Sequence, residues 1–276
     1  MADYRLSGHT TEASVATENS NCGSVFNTTT SGDALSNWNA LRAGTEGSPS
    51  LSANDLRILA SRTSATPRLS VRRCYIQFPI PSNLSRLDNT PQLQIFVSTL
   101  DGDETVVPTS IDYTNFTEPW QGNNATNALT SAQTGASAKY IDASFTTLTT
   151  GANAITLNEL AKYHILFAGG ISSGVRYLTI AILDYRYDFS GVLPDDGSFN
   201  NIVLDDTSDS NPPALILRNP WFVNDRGVEF PVDGNFVIAS NDIGVNQFDR
   251  SVPQLPFSQN IRGPRSLRGK NVPYKV

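Results

Sequence analysis

Apolar and polar residues alternate with a period of two along much of this chain. Between Arg72 and Ile80, the residues Ile76, Phe78 and Ile80 fall on one face, and Pro79 and Pro81 close the run. Between Gln92 and Thr99, Leu93, Ile95 and Val97 share one face, while Gln94, Phe96 and Ser98 share the other. The longest strand pattern covers Arg176 to Asp188, with Leu178, Ile180 and Ile182 opposite Tyr185 and Tyr187. Shorter strands are expected near Leu56–Ser61, Tyr140–Phe145, Tyr163–Ala168, Asn201–Leu204 and Ala214–Arg218. Helical spacing is confined to one segment. There Thr156 and Glu159 form a capping box, Leu157, Leu160 and Ala161 supply an apolar side, and the helix ends before Tyr163. Gly, Asn and Asp clusters separate the runs. The pattern predicts an all-β protein: a jelly-roll-like antiparallel β-sandwich with one short helix and an extended C-terminal arm.

Two stretches interrupt the alternation. Gly102–Ala138 is polar and rich in Gly and Asn around Trp120, and Ser190–Asp209 holds five Asp. A loop as long as the first is functional or packs on its own aromatics. Past Arg218, the runs Glu229–Val232 and Asn235–Ile238 flank Asp233-Gly234, which predicts a hairpin with a type I′ turn. Beyond Ser240 no core-forming period is present, and Pro253, Pro256, Pro264 and Pro273 keep the chain extended. The chain therefore divides into a β-sandwich body, residues 1–218, and a C-terminal hairpin with an extended anchoring arm, residues 219–276.

Charge sharpens this division. The whole chain stands at −6, yet Ser251 to Val276 carries five basic side chains and no acidic one, which leaves the first 250 residues at −11. The basic residues are Arg262, Arg265, Arg268, Lys270 and Lys275. Leu255, Phe257, Leu267, Val272 and Tyr274 are spaced between and before them like anchors of an extended peptide, a pattern suited to docking on acidic protein surfaces. An acidic body argues against nucleic acid as the main ligand. The first residues lack the apolar stretch of a signal peptide, and no apolar run is long enough to span a membrane. Without such a signal, Cys22 and Cys74 are expected as free thiols, and the Asn-x-Ser/Thr sites at Asn27, Asn83, Asn115 and Asn124 read as composition.

Catalysis finds little support. Asp195, Asp196, Asp205, Asp206 and Asp209 are close in sequence, but a glycosidase needs two carboxyls facing each other across a sugar, and Asp-rich surface loops are common. His164 sits in a strand pattern and reads as packed or solvent-facing, and no nucleophile motif or phosphate loop accompanies it. The cysteines lack metal-ligand spacing, and neither a metal nor a cofactor is expected. Tyr113, Phe116 and Trp120 are candidates for gripping a glycan, because a flat apolar ring matches a pyranose face. Core packing of Trp38 and anchoring of its own loop by Trp120 are the plainer readings.

Several blocks carry a family likeness. They are Asn37–Gly44, with its Trp and Arg read on an early strand; Arg72–Phe78; Leu93–Val97; Asp112–Phe116; the helix segment Ile155–Ala161; Tyr163–Phe167; Tyr177–Tyr187; and Asp206–Ile216. Their order and spacing resemble a β-sandwich module of bacteriophage virion and tail proteins, similar in layout to non-catalytic carbohydrate-binding modules. The likeness spans Asn37 to Leu217. The Gly102–Ala138 insertion and the tail after Arg218 depart from it. It implies a non-enzymatic virion structural protein, made in the host bacterial cytoplasm. The expected role is capsid decoration or cement, or another head or tail surface protein, attached through Leu255, Phe257, Arg262, Arg265, Arg268, Lys270 and Tyr274. Its partners would be capsid, neck or tail proteins and its own copies, with a trimer as the expected homo-oligomer. The alternative is a host-glycan adhesin using Tyr113, Phe116 and Trp120.

Overall fold

The computed structural model describes residues 22–239, except 64–67, 115, 117–123, 169, 173–174, 207–208 and 225. The arm from Ser240 onward, with all of its anchoring candidates, lies outside the described residues, as do Trp120 and His9.

The architecture is an antiparallel β-sandwich, as the alternation predicts. It is organised around β4 (Arg68–Ile80), which is buried from Leu69 to its end. Strand β1 (Cys22–Thr29) runs along one edge of β4, with Cys22 opposite Ile76 and Thr29 opposite Leu69. The other edge is shared. There β3 (Leu56–Thr63) pairs with the first half and β11 (Val175–Asp184) with the second. From β3 the sheet continues through β12 (Phe199–Leu204), β6 (Gln92–Asp101) and β13 (Ala214–Arg218) to β16 (Asn235–Ala239). From β11 it continues through β7 (Thr105–Thr109) to β8 (Thr146–Thr147). The first limb curls back until β16 approaches β4 across the interior. On the margins, β2 (Ser50–Ala53) pairs with β1, β9 (Gly151–Thr156) with β6 and β10 (Gly170–Ser172) with β11. A smaller sheet joins β5 (Leu84–Leu87), β14 (Pro220–Val223) and β15 (Glu229–Pro231).

Strand β6 keeps the expected alternation, with Leu93, Ile95 and Val97 buried between more exposed neighbours. Strand β4 does not, because both of its faces are covered. Ile76, Phe78 and Ile80 face one side, while Arg73, Tyr75 and Gln77 are equally buried on the other. Three side chains fasten the cover. Arg73 donates two 2.7 Å bonds to the two oxygens of Asp188, one of 3.0 Å to the Arg42 carbonyl and another to the Leu129 carbonyl. The Tyr75 hydroxyl donates to the Ala128 carbonyl (2.6 Å), and Trp38 Nε1 to the Tyr187 carbonyl (3.1 Å). Burial alone would lower the Arg73 guanidinium, but the Asp188 carboxylate against it holds it above its ordinary value. This polar set anchors two helices, α1 (Leu35–Arg42) and α2 (Ala125–Ser131), and the turn after β11 to the outside of the sheet.

Helices replace several expected strands. The Asn37–Gly44 block is mostly helix α1, because Trp38 and Leu41, three positions apart, bury the same face. The Gly102–Ala138 stretch contains β7, α2 and a 3-10 turn at Ala136–Ala138, where strand character was not expected. The expected short helix exists as α3 (Glu159–Tyr163), but its cap is Asn158, whose side chain accepts from Ala161 N; Thr156 instead ends β9. A π-helical turn at His164–Ala168 follows where a strand was expected. A second, Tyr185–Phe189, begins where β11 stops, because the Asp184 carboxylate caps it by accepting from Tyr187 N at 2.6 Å. Among the described residues one expected short helix thus becomes three α-helices, with the 3-10 and π-helical turns besides, and Tyr140–Phe145 forms no strand.

The C-terminal hairpin also differs. Strand β15 pairs with β14, whereas β16 pairs with β13, so Glu229–Val232 and Asn235–Ile238 do not face each other. A type I′ turn needs positive φ at both central residues, and of Asp233 and Gly234 only Gly234 has one, at 98°. The hairpin that forms is longer. Its arms are β13–β14 and β15–β16, and it turns at Asn224–Val228, where Asn224 N donates to the Val228 carbonyl (3.0 Å). Both arms bend from the large sheet into the small one at Asn219 and Gly234, which exchange two 2.8 Å bonds. The boundary expected at Arg218 falls inside this ribbon, and Phe222, Phe236 and Ile238 beyond it are buried in the common core.

Cys22 and Cys74 are both buried, and they form no disulfide. The register sets Ser24 opposite Cys74 and Cys22 opposite Ile76, so the two thiols are diagonal neighbours on one face.

Candidate functional site

The sequence-derived glycan candidates do not form a common platform among the described residues. Phe116 is 6% exposed and stacks on Tyr75 at 5.6 Å between ring centres, so its faces are covered. Tyr113 is half-buried, and its hydroxyl accepts from Thr179 N at 3.1 Å. It stands edge-on to His164, whose Nδ1 lies 2.7 Å from the Tyr140 hydroxyl. Burial holds the His164 imidazole below its ordinary value. The Asp-rich segment is taken up locally. Asp195 meets Arg186 (3.4 Å), Asp205 accepts from Asn211 (3.1 Å), and the Asp209 carboxylate accepts from Asp206 N (2.9 Å). Among the described residues no group of His, Cys, Asp and Glu is arranged to hold a metal ion.

A different place combines exposed chemistry with a fixed shape. An open groove of about 350 Å³ lies between β9 and the segment Ile141–Thr146. One wall is the margin of β9, held by its pairing to β6 from Thr156 to Gly151. The facing segment is tied down by Asn158, whose backbone N donates to the Tyr140 carbonyl (2.7 Å) and whose side chain donates to the Lys139 carbonyl (3.0 Å). Lys139 Nζ then crosses to the Ala143 carbonyl at 2.6 Å. Ile141, Ile155 and Leu157 line the groove and are themselves buried in the core.

The groove is also lined by Thr90, Thr146, Thr156, Asp142 and Phe145. The three hydroxyls and the carboxylate make no side-chain hydrogen bond or ion pair among the described residues. Phe145 is 40% exposed, and its ring is backed by Tyr185 at 4.8 Å, which in turn stacks on Phe189 at 6.1 Å. This row gives Phe145 a fixed attitude while leaving much of its surface to solvent. The alternation puts Phe145 at the end of an expected strand and gives no sign of a groove. A lone aromatic inside the Thr-rich run Ser144–Thr150 was the available signal.

No family model matches this chain, and neither a curated protein nor a solved structure is detectably similar to it.

Proposed function

We propose that this chain is a non-enzymatic structural protein of a bacteriophage particle, with the β-sandwich displayed and the C-terminal segment serving as its attachment to capsid, neck or tail neighbours. The observation that carries the reading is the separation of charge along the sequence together with the position of the last described strand. Strand β16 pairs only with β13 among the described residues, so it forms a margin of the large sheet. From that margin the chain runs on into a segment whose last 26 residues are purely basic in charge, against −11 for the 250 before them. Such a segment suits docking on acidic neighbours, including further copies of the body, and a trimer is the expected assembly. The buried charges support a scaffold role, since Arg73, Arg42 and Asp188 bind one another and the main chain.

The test offers full-length protein and a variant lacking Ser240–Val276 to particles assembled without the protein, at low and at high salt. Binding by the full chain alone, weakened by salt, is the expected outcome. Equal binding by the shortened chain, with its circular dichroism unchanged, would refute arm-mediated attachment.

A further inference from the structure

We infer that the groove between β9 and Ile141–Thr146 is a saccharide-binding site for a neutral hexopyranose within an oligosaccharide. Its lining includes neither a residue of the arm nor Tyr113, Phe116 or Trp120. Its chemistry is mixed in the way a sugar requires. A pyranose presents an apolar face of C–H groups and a rim of hydroxyls. Phe145 offers an exposed ring, held at a fixed angle by Tyr185 4.8 Å behind it. Thr90, Thr146 and Thr156 offer hydroxyls that both donate and accept, and Asp142 offers a strong acceptor for a pair of sugar hydroxyls.

These four residues line one groove, and their side chains make no bond of their own among the described residues. The lone carboxylate on an acidic chain disfavours phosphate, sulfate or uronate ligands. The volume of about 350 Å³ is near the lower end of the range for ligand clefts, roughly 300–1,000 Å³, which suits a short saccharide.

Nuclear magnetic resonance of the 15N-labelled full-length protein tests this. Maltotriose, cellotriose, mannotriose and galactotriose are titrated to roughly 20 mM, a range that reaches weak binding, with trigalacturonate and a lysine-containing tripeptide as contrasts. The expected result is saturable shifts for at least one neutral trisaccharide, centred on the amides of Asp142, Thr146 and Thr156. Phe145→Ala should weaken that binding about tenfold, the scale of one lost ring contact, and Phe145→Trp should preserve it. Asp142→Asn, a surface change that leaves the fold alone, should weaken it as well. Absence of shifts with all four neutral sugars, shifts mapping away from the groove, a preference for trigalacturonate or the peptide, or indifference to Phe145→Ala and Asp142→Asn would each overturn the assignment. Removing Ser240–Val276 should leave sugar binding intact, so this site and the attachment reading fail separately.

Discussion

Asp184 carries a buried carboxyl that has hydrogen bonds but no cation beside it among the described residues. It accepts from Tyr187 N at 2.6 Å and from Asn200 Nδ2, with Asp188 and Asp103 nearby. Burial pushes its pKa up to about 7, and the two like charges add to the rise. The folded state thus holds the proton more tightly than the unfolded chain, whose value is 3.8. Stability from this group is present below the unfolded value and is lost as pH rises toward 7, by up to about 4 kcal/mol on the usual conversion. Asp184→Asn should remove that loss. It keeps an oxygen for Tyr187 N, and Asn200 can turn its unpartnered Oδ1 toward the new amide. Urea unfolding at pH 5 and pH 8 is the measurement, and the variant's gain on the parent should be larger at pH 8 than at pH 5, where only part of the loss has set in. Arg73→Met makes the opposite case. It leaves Asp188 buried without its bidentate partner, which should cost about 3–5 kcal/mol in the same assay, far more than an exposed pair such as Arg86–Asp88 would.

At the scale of elements, the bent ribbon β13–β14/β15–β16 depends on two residues with left-handed backbone, Asn219 at φ 46° and Gly234 at φ 98°. Asn tolerates the first, while the second favours Gly, so Gly234→Ala should destabilise by about 1 kcal/mol or more, read as a lower urea midpoint with an unchanged slope. This ribbon also shows where sequence reasoning stops. Strands β6, β12 and β13 are legible because they alternate or carry β-branched residues in short bounded runs. Which strands pair is a matter of long-range contacts, so two adjacent runs around Asp233-Gly234 looked like partners and are not. Helix α1 was illegible for another reason: Leu-Ser-Asn-Trp-Asn-Ala-Leu-Arg is weak in helix formers and becomes helical by docking Trp38 and Leu41 on the sheet. The aromatic runs Tyr163–Phe167 and Tyr185–Phe189 misled in the other direction, since ring-rich segments favour strands, and here caps at Asn158 and Asp184 turn them. The groove was hidden because Thr90, Ile141–Thr146 and Ala154–Leu157 come from three separate segments.

For the molecule as a whole, the question is where the folding unit stops. A boundary at Arg218 would remove β14, β15 and β16, and with them Phe222, Phe236 and Ile238 from the core. It would also expose β13, which now lies between β6 and β16, as a bare edge. Loss of a large buried side chain costs about 2–5 kcal/mol, so three of them reach the roughly 5–15 kcal/mol that holds a domain together. A chain ending at Arg218 should therefore be insoluble or lack a cooperative thermal transition. One ending at Ala239 keeps every described strand and should unfold in a single transition at a midpoint close to that of the full chain. Differential scanning calorimetry of the two truncations beside the parent decides between the boundaries. If the Ala239 truncation melts many degrees lower, residues 240–276 pack on the body itself, and the division of labour between a displayed sandwich and an attaching arm is lost. If it melts with the parent, the arm contributes nothing to the fold, and its basic and aromatic residues are left for a partner.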